Sequence, residues 1–173
     1  MTWHANIGKF LSKRSPFASS TPPMPRQYKR KVGLGVIIRD SNGMVIATLS
    51  SPMVGPLSAL ETETKALETG LHFALDIGIR DAVFENDALE VINAVLGLAT
   101  PSSSTQFIVD GIHQQACMFR SCCFTHNKRQ GNVLAHMLAQ YSKSLASYVA
   151  WVESCPSHIE QACAQDFDVA SIV

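Results

Sequence analysis

Two kinds of hydrophobic pattern alternate along this chain, beginning with a pair of short apolar runs. Residues 32–39 and 44–50 are rich in Val, Ile and Leu, which is typical of β-strands. The segment Asp40-Ser41-Asn42-Gly43 separates them, and Asn-Gly tolerates the positive φ angles that a tight hairpin needs. Residues 32–50 are therefore predicted to form an antiparallel hairpin.

Helical spacing follows the hairpin. Leu60, Leu67, Leu71 and Leu75 form an apolar stripe that predicts a helix from about residue 57 to residue 77, closed by Gly78. The remaining pattern predicts a buried strand at 81–87, helices at 88–96, 107–119 and 132–147, a strand at 121–126, a polar loop at 99–105 and a basic loop at 127–131. A hairpin followed by strands linked through helices predicts an α/β fold with a mixed sheet and helices packed on it.

Two carboxylates in this pattern suggest a site. Glu63 lies on the apolar stripe, three residues after Leu60, and Asp87 ends the strand at 81–87. A helix carboxylate beside a strand-end carboxylate is the beginning of a divalent-metal site. Glu63 could instead reach water from the edge of the stripe, and Asp87 could cap the next helix with Glu90 three residues further on.

The other acids and the cysteines have simpler explanations. Glu61, Lys65 and Glu68 share another helix face and are explained by solvation. The chain has five cysteines without a zinc-binding spacing, which predicts reduced, mostly buried thiols in an intracellular protein. The nucleus or cytoplasm is the favoured compartment, and the acid-free basic N-terminus leaves an organelle open as the alternative. No apolar run approaches the roughly 20 residues that span a membrane.

Charge divides the 173-residue chain unevenly. Residues 1–39 contain eight Lys and Arg and no acid, whereas residues 40–173 contain six Lys and Arg and all fourteen acids. We therefore divide the chain into a basic, Ser- and Pro-containing arm (1–31), one domain (32–148) and a C-terminal extension (149–173). The arm could contact phosphates, direct the chain to an organelle or be a tail without a special role. Removing residues 1–31 would weaken nucleic-acid binding if the arm contacts phosphates.

Four short motifs follow one another in the predicted domain. They are residues 33–40 with Asn42-Gly43, residues 62–71, the strand end Glu85-Asn86-Asp87, and residues 126–139. Together they resemble type 1 ribonuclease H domains, in the plant group related to the carboxy-terminal domain of retrotransposon reverse transcriptases. The resemblance runs from about residue 32 to residue 168.

This resemblance implies a ribonuclease H-like mixed sheet flanked by helices and metal-dependent hydrolysis of RNA in RNA–DNA hybrids. In such domains four carboxylates hold two Mg²⁺ ions. Glu63 and Asp87 match two of them, so the resemblance implies that they bind Mg²⁺ or Mn²⁺. The nucleic-acid backbone, of an RNA–DNA hybrid or another duplex, is the expected partner, and the residues expected to contact it are Lys128, Arg129 and Asn132.

Two positions depart from the family pattern. His136 stands where the fourth carboxylate is expected, which removes one negative charge and places a nitrogen donor there. His136 could equally be an ordinary surface residue, and His126 is given no role. No Asp or Glu precedes Asp40, so the first carboxylate is absent, and we predict that the strand carrying it is missing too. Hydrolysis is therefore expected to be weak or lost. The alternatives are a non-catalytic nucleic-acid-binding module and a decayed mobile-element relic.

Overall fold

The computed structural model describes residues 2–11, 30–157 and 159–163. Within them, six strands form one mixed sheet in the order β5-β4-β1-β2-β3-β6. The strands are β1 (Trp3–Leu11), β2 (Arg30–Arg39), β3 (Val45–Gly55), β4 (Asp81–Asn86), β5 (Ser121–His126) and β6 (Val149–Val152). The helices are α1 (Ala59–Asp76), α2 (Leu89–Val95), α3 (Ser103–Ala116) and α4 (Val133–Tyr141). The predicted α/β class is confirmed.

The first strand is present, so the prediction that it is missing was wrong. β1 lies in the centre of the sheet, antiparallel to β2 and parallel to β4. Its apolar residues Ala5 and Ile7 are buried in the main core, while His4, Asn6 and Gly8 alternate with them on the other face. The proposed basic arm of residues 1–31 therefore includes a central strand, and residues 12–29 lie outside the described part of the chain.

The predicted hairpin is confirmed as β2 and β3. Gly43 has a φ of 83°, and its amide donates to the carbonyl of Asp40. The Asp40 carboxylate accepts hydrogen bonds from the amides of Asn42 and Met44, so Asp40 serves the turn, as expected from its position.

Helices cover both faces of the sheet. Gly70 of α1 lies against Ile7 and Val36, whereas Gly35, the neighbour of Val36 in β2, lies against Ala135 of α4. Because successive residues of a strand point to opposite faces, α1 and α4 lie on opposite sides of the sheet. The main core lies between the sheet and α1 and α3, and a smaller cluster around Leu134 and Leu138 lies under α4.

Several predicted boundaries need correction. α3 begins at Ser103, inside the segment predicted as a loop. α4 ends at Tyr141 and passes into a 3₁₀ turn, Ser142–Ser144, where the buried hydroxyl of Ser142 donates to the carbonyl of Ala139. The C-terminal segment contributes β6 to the sheet and Ile159 to the smaller core, so part of residues 149–173 belongs to the fold.

Two acids of helix α1 make contacts that the sequence pattern did not predict. Glu61 forms a capping box with Ser58, in which each side chain accepts a hydrogen bond from the other residue's backbone amide. Glu68 is buried, contacts the side of α3 at Gly111 and pairs with Lys65. Solvation therefore does not explain Glu68, because α3 covers this face of α1.

Candidate functional site

Asp87 lies at the point where β4, β1 and α4 meet. Strand β4 ends at Asn86, which pairs with Ile7, so the next positions along the two parallel strands are Asp87 and Gly8. The side-chain nitrogen Nδ2 of Asn132 donates to Oδ1 of Asp87 at 3.0 Å and to the backbone carbonyl of Ile7 at 2.5 Å. Nε2 of His136 lies 3.2 Å from Oδ2 of Asp87. Both oxygens of Asp87 are therefore engaged by side chains at the start of α4.

The surroundings of Asp87 favour its ionised form. Burial acts to raise the pKa of Asp87, but the hydrogen bonds from His136 and Asn132, with the nearby charge of His136, outweigh it and hold the pKa below its ordinary value. Asp87 does not cap α2: Ala88 occupies the N-cap position, and its amide donates to the side chain of Asn86. The alternative explanation of Asp87 as a helix cap is therefore wrong.

Glu63 belongs to α1, which packs on the face of the sheet opposite to α4. It lies in α1 between the buried residues Thr62 and Thr64, is itself half-buried, and has one carboxylate oxygen removed from solvent. The side-chain hydrogen bonds to Asp87 come from the α4 side, from Asn132 and His136.

The donor set beside Asp87 does not fit a two-Mg²⁺ site. Gly8 supplies no donor, and a β-carbon added there would lie 2.8 Å from the backbone of Ala135 and His136. His136 offers a nitrogen, whereas Mg²⁺ prefers oxygen ligands. In the part of the chain that the structure describes, no group of three or more His, Cys, Asp and Glu is arranged to hold a metal ion.

The basic segment before α4 contains the other predicted site residues. Lys128 and Arg129 are exposed, at the start of a 3₁₀ turn, Arg129–Asn132. Asn132 is only 2% exposed because its side chain ties α4 to β1 and Asp87. Contact between Asn132 and nucleic acid stays a prediction, and the observed contacts of its side chain are with Ile7 and Asp87. His126 is exposed at the end of β5.

A second polar group on the α4 face was not predicted. Oε2 of Glu85 accepts hydrogen bonds from Asn6 at 2.5 Å and from Asn127 at 2.8 Å, and Oε1 lies 3.3 Å from Nδ1 of His4. This group borders a cavity of about 320 Å³ that extends to Arg39 and the β2–β3 turn. Asn6 was missed because β1 was missed. The alternation of Glu85 and Asp87 around buried Asn86 was the available signal.

This fold and its helix-covered mixed sheet define a ribonuclease H-like domain. The chain belongs to the reverse transcriptase-like family, whose model matches residues 25–142. No curated protein sequence is significantly similar to the chain.

Solved structures show the same fold at low identity. Ribonuclease H1 from the halophilic archaeon Halobacterium salinarum has 19% identity and a TM-score of 0.68, with 83% of this chain and 98% of that chain covered. The N-terminal ribonuclease H domain of rv2228c from Mycobacterium tuberculosis has 16% identity and a TM-score of 0.64, with 95% and 96% covered. LC11-RNase H1, solved in complex with an RNA/DNA hybrid, has 15% identity and a TM-score of 0.62, with 81% and 94% covered.

No helix among the described residues is both long and apolar enough to cross a membrane.

Proposed function

We propose that this chain binds the backbone of RNA–DNA hybrids or similar duplexes and hydrolyses them weakly or not at all. The observation that carries the proposal is the engagement of Asp87. Asn132 and His136 hold its two oxygens, and Gly8 beside it brings no carboxylate. A carboxylate held in this way ties α4 to β4, and among the described residues no group of three or more His, Cys, Asp and Glu is arranged around it to hold an ion.

Binding is supported by the fold and by exposed charge. A structure with this fold, LC11-RNase H1, was solved with an RNA/DNA hybrid. In this chain Lys128 and Arg129 are exposed immediately before α4 and lie close in sequence to Asn132, which contacts Asp87. Cationic side chains neutralise phosphates without reading sequence, so the affinity is expected to fall steeply as salt increases. The fourteen acids in residues 40–173 oppose tight binding and favour low salt.

The test measures binding and cleavage on the same full-length protein. Fluorescence anisotropy with a labelled RNA–DNA hybrid across a salt series gives the affinity and its salt dependence. We expect the double substitution Lys128→Ala and Arg129→Ala to weaken binding and to reduce the slope of log affinity against log salt by about 1 for each phosphate that is no longer neutralised. Arg120→Gln is the matched control, because it removes an exposed charge at the opposite end of β5, and it is expected to leave the affinity unchanged.

Cleavage is assayed on the same hybrid in Mg²⁺ and in Mn²⁺, the ions that an active family member would use. We expect little or no product. Cleavage that both Glu63→Gln and Asp87→Asn abolish would overturn the non-catalytic part of the proposal and show that these two carboxylates form a working site. Failure of the folded protein to bind hybrid, duplex or single strand at low salt would overturn the binding part and favour a relic without a nucleic-acid role.

A further inference from the structure

The thiols of Cys155 and Cys163 lie close together on the α4 side of the sheet. The sulfur atoms of Cys155 and Cys163 are 3.0 Å apart, although the residues are eight positions apart in the chain. Cys155 follows β6, and Cys163 ends the described helical residues 159–163. Both side chains pack against the smaller core, which contains Leu134 and Leu138 of α4.

The position of this pair suits thiol–disulfide exchange. Both cysteines are partly exposed, so a small reagent can reach them, while the packing around them keeps the sulfurs together. The other cysteines differ. Cys122 and Cys123 are adjacent in β5 and point to opposite faces, and burial raises the pKa of Cys122 to about 12, so its thiol stays protonated. Cys117 is exposed beyond the end of α3.

We propose that Cys155 and Cys163 form a reversible intramolecular disulfide with a small-molecule disulfide, such as oxidised glutathione, as the oxidant. The thiolate of one cysteine attacks a sulfur of glutathione disulfide and releases one glutathione thiolate. The other cysteine loses its proton and attacks the resulting mixed disulfide, which releases the second glutathione. The two cysteines lose two electrons and two protons in total, and glutathione disulfide becomes two glutathione thiols.

Oxidation would fasten the C-terminal segment to the fold. The cross-link joins the segment after β6 to the helical residues that place Ile159 in the core under α4. A cross-link limits the freedom of the unfolded chain and so favours the folded state. Oxidised protein is therefore expected to melt at a higher temperature than reduced protein, by on the order of 5 °C.

To test this, the folded full-length protein is equilibrated with oxidised or reduced glutathione, and the remaining thiols are then blocked. The peptides are mapped by mass spectrometry without reduction. We expect a peptide pair linked through Cys155 and Cys163 in the oxidised sample, which dithiothreitol removes. The melting temperature is measured on the same samples. The shift between oxidised and reduced protein is expected to disappear in Cys155→Ser and in Cys163→Ser and to persist in Cys117→Ser, the matched control.

Two results would overturn the proposal. In the first, the peptide map of oxidised wild-type protein shows glutathione attached to Cys155 or Cys163 with no link between them, or shows both thiols alkylated. The other is a disulfide that forms without any change in melting temperature. A disulfide that fits the folded positions of the two cysteines must restrict the conformations of the unfolded chain and so raise the melting temperature. The map is made on wild-type protein, so it decides the question even where a serine variant fails to fold.

Discussion

The carboxylate of Asp87 joins three parts of the chain that are far apart in sequence. It follows the last residue of β4, lies next to Gly8 of β1 and accepts hydrogen bonds from Asn132 and His136 near the start of α4. Its side chain is 13% exposed, and that of His136 is 20% exposed. Hydrogen bonds to a charged group at such a site are stronger than those at an open surface. Asp87 therefore contributes to stability here, whatever it contributes to binding.

Asp87→Asn is expected to lower the free energy of unfolding by about 1–3 kcal/mol near neutral pH, because the charged acceptor for His136 and Asn132 is removed. The folded state holds the pKa of Asp87 below its ordinary value. The stabilisation from its ionised form is therefore fully present above about pH 4 and disappears as the pH falls through the lowered pKa of the folded state. Urea unfolding of wild type and variant at neutral and acidic pH measures this difference.

The control for this prediction is Asp76→Asn, since Asp76 is exposed at the end of α1. It is expected to cost little at either pH. The gap between wild type and Asp87→Asn is expected to narrow under acidic conditions. A gap of the same size at both pH values would contradict the assignment of an ionised, hydrogen-bonded Asp87.

The individual site residues were only partly predictable from sequence. Glu63 and Asp87 stand out because helix and strand periodicity puts a carboxylate where packing would favour an apolar residue. The partners of Asp87 do not stand out, because the contact with Asn132 depends on how α4 docks against β1. Glu85 likewise acquires its partners Asn6 and Asn127 only through the pairing of β1 with β4.

At the scale of elements, glycine determines how closely α4 approaches the sheet. A β-carbon added at Gly33 would overlap the carbonyl oxygen of Ala139, and one added at Gly35 would overlap that of Ala135. Backbone atoms of a helix cannot move aside as the end of a flexible side chain can. Gly33 and Gly35 in β2 therefore leave a surface without side chains on which the α4 backbone packs, and Gly8 continues this surface in β1.

Gly35→Ala is expected to destabilise the protein by about 1–3 kcal/mol or more, since α4 must shift away from β2. The shift would also move Asn132 and His136 relative to Asp87. Gly55→Ala is the matched control in the neighbouring strand β3, because its added carbon would lie 3.7 Å from Leu57, an ordinary contact. Thermal unfolding of the two variants measures the difference. Equal melting temperatures would show that α4 does not depend on close contact with β2.

Strand β1 shows where the element-level predictions failed. The hairpin was predictable because Asn42-Gly43 separates two β-branched runs, and the structure confirms it. In β1 the apolar positions Trp3, Ala5 and Ile7 do alternate with His4, Asn6 and Gly8. Three weakly β-forming residues on one face obscured that signal. They are there because that face meets the α4 backbone at Gly8 and the Glu85 carboxylate at Asn6, which are tertiary requirements.

At the scale of the whole molecule, the position of β1 changes what the basic N-terminal residues can do. Residues 3–11 contain only one of the eight Lys and Arg that precede residue 40, and their backbone pairs with both β2 and β4. The basic residues before residue 32 therefore cannot be removed as a separate arm, because the same truncation removes the central strand β1. If truncation of residues 1–31 weakens nucleic-acid binding, the first explanation is therefore disruption of the fold, and the removal of phosphate contacts comes second.

A chain containing only residues 30–173 is expected to lose cooperative unfolding. Without β1, the facing edges of β2 and β4 lack their hydrogen-bond partners, and the core lacks Ala5 and Ile7. Circular dichroism during heating measures the transition. Ile7→Ala in the full-length chain is the control: it keeps the strand backbone and is expected to cost about 2–5 kcal/mol while unfolding stays cooperative. A sharp, native-like transition in the shortened chain would contradict a central β1, and the basic residues before residue 30 could then be tested separately for binding.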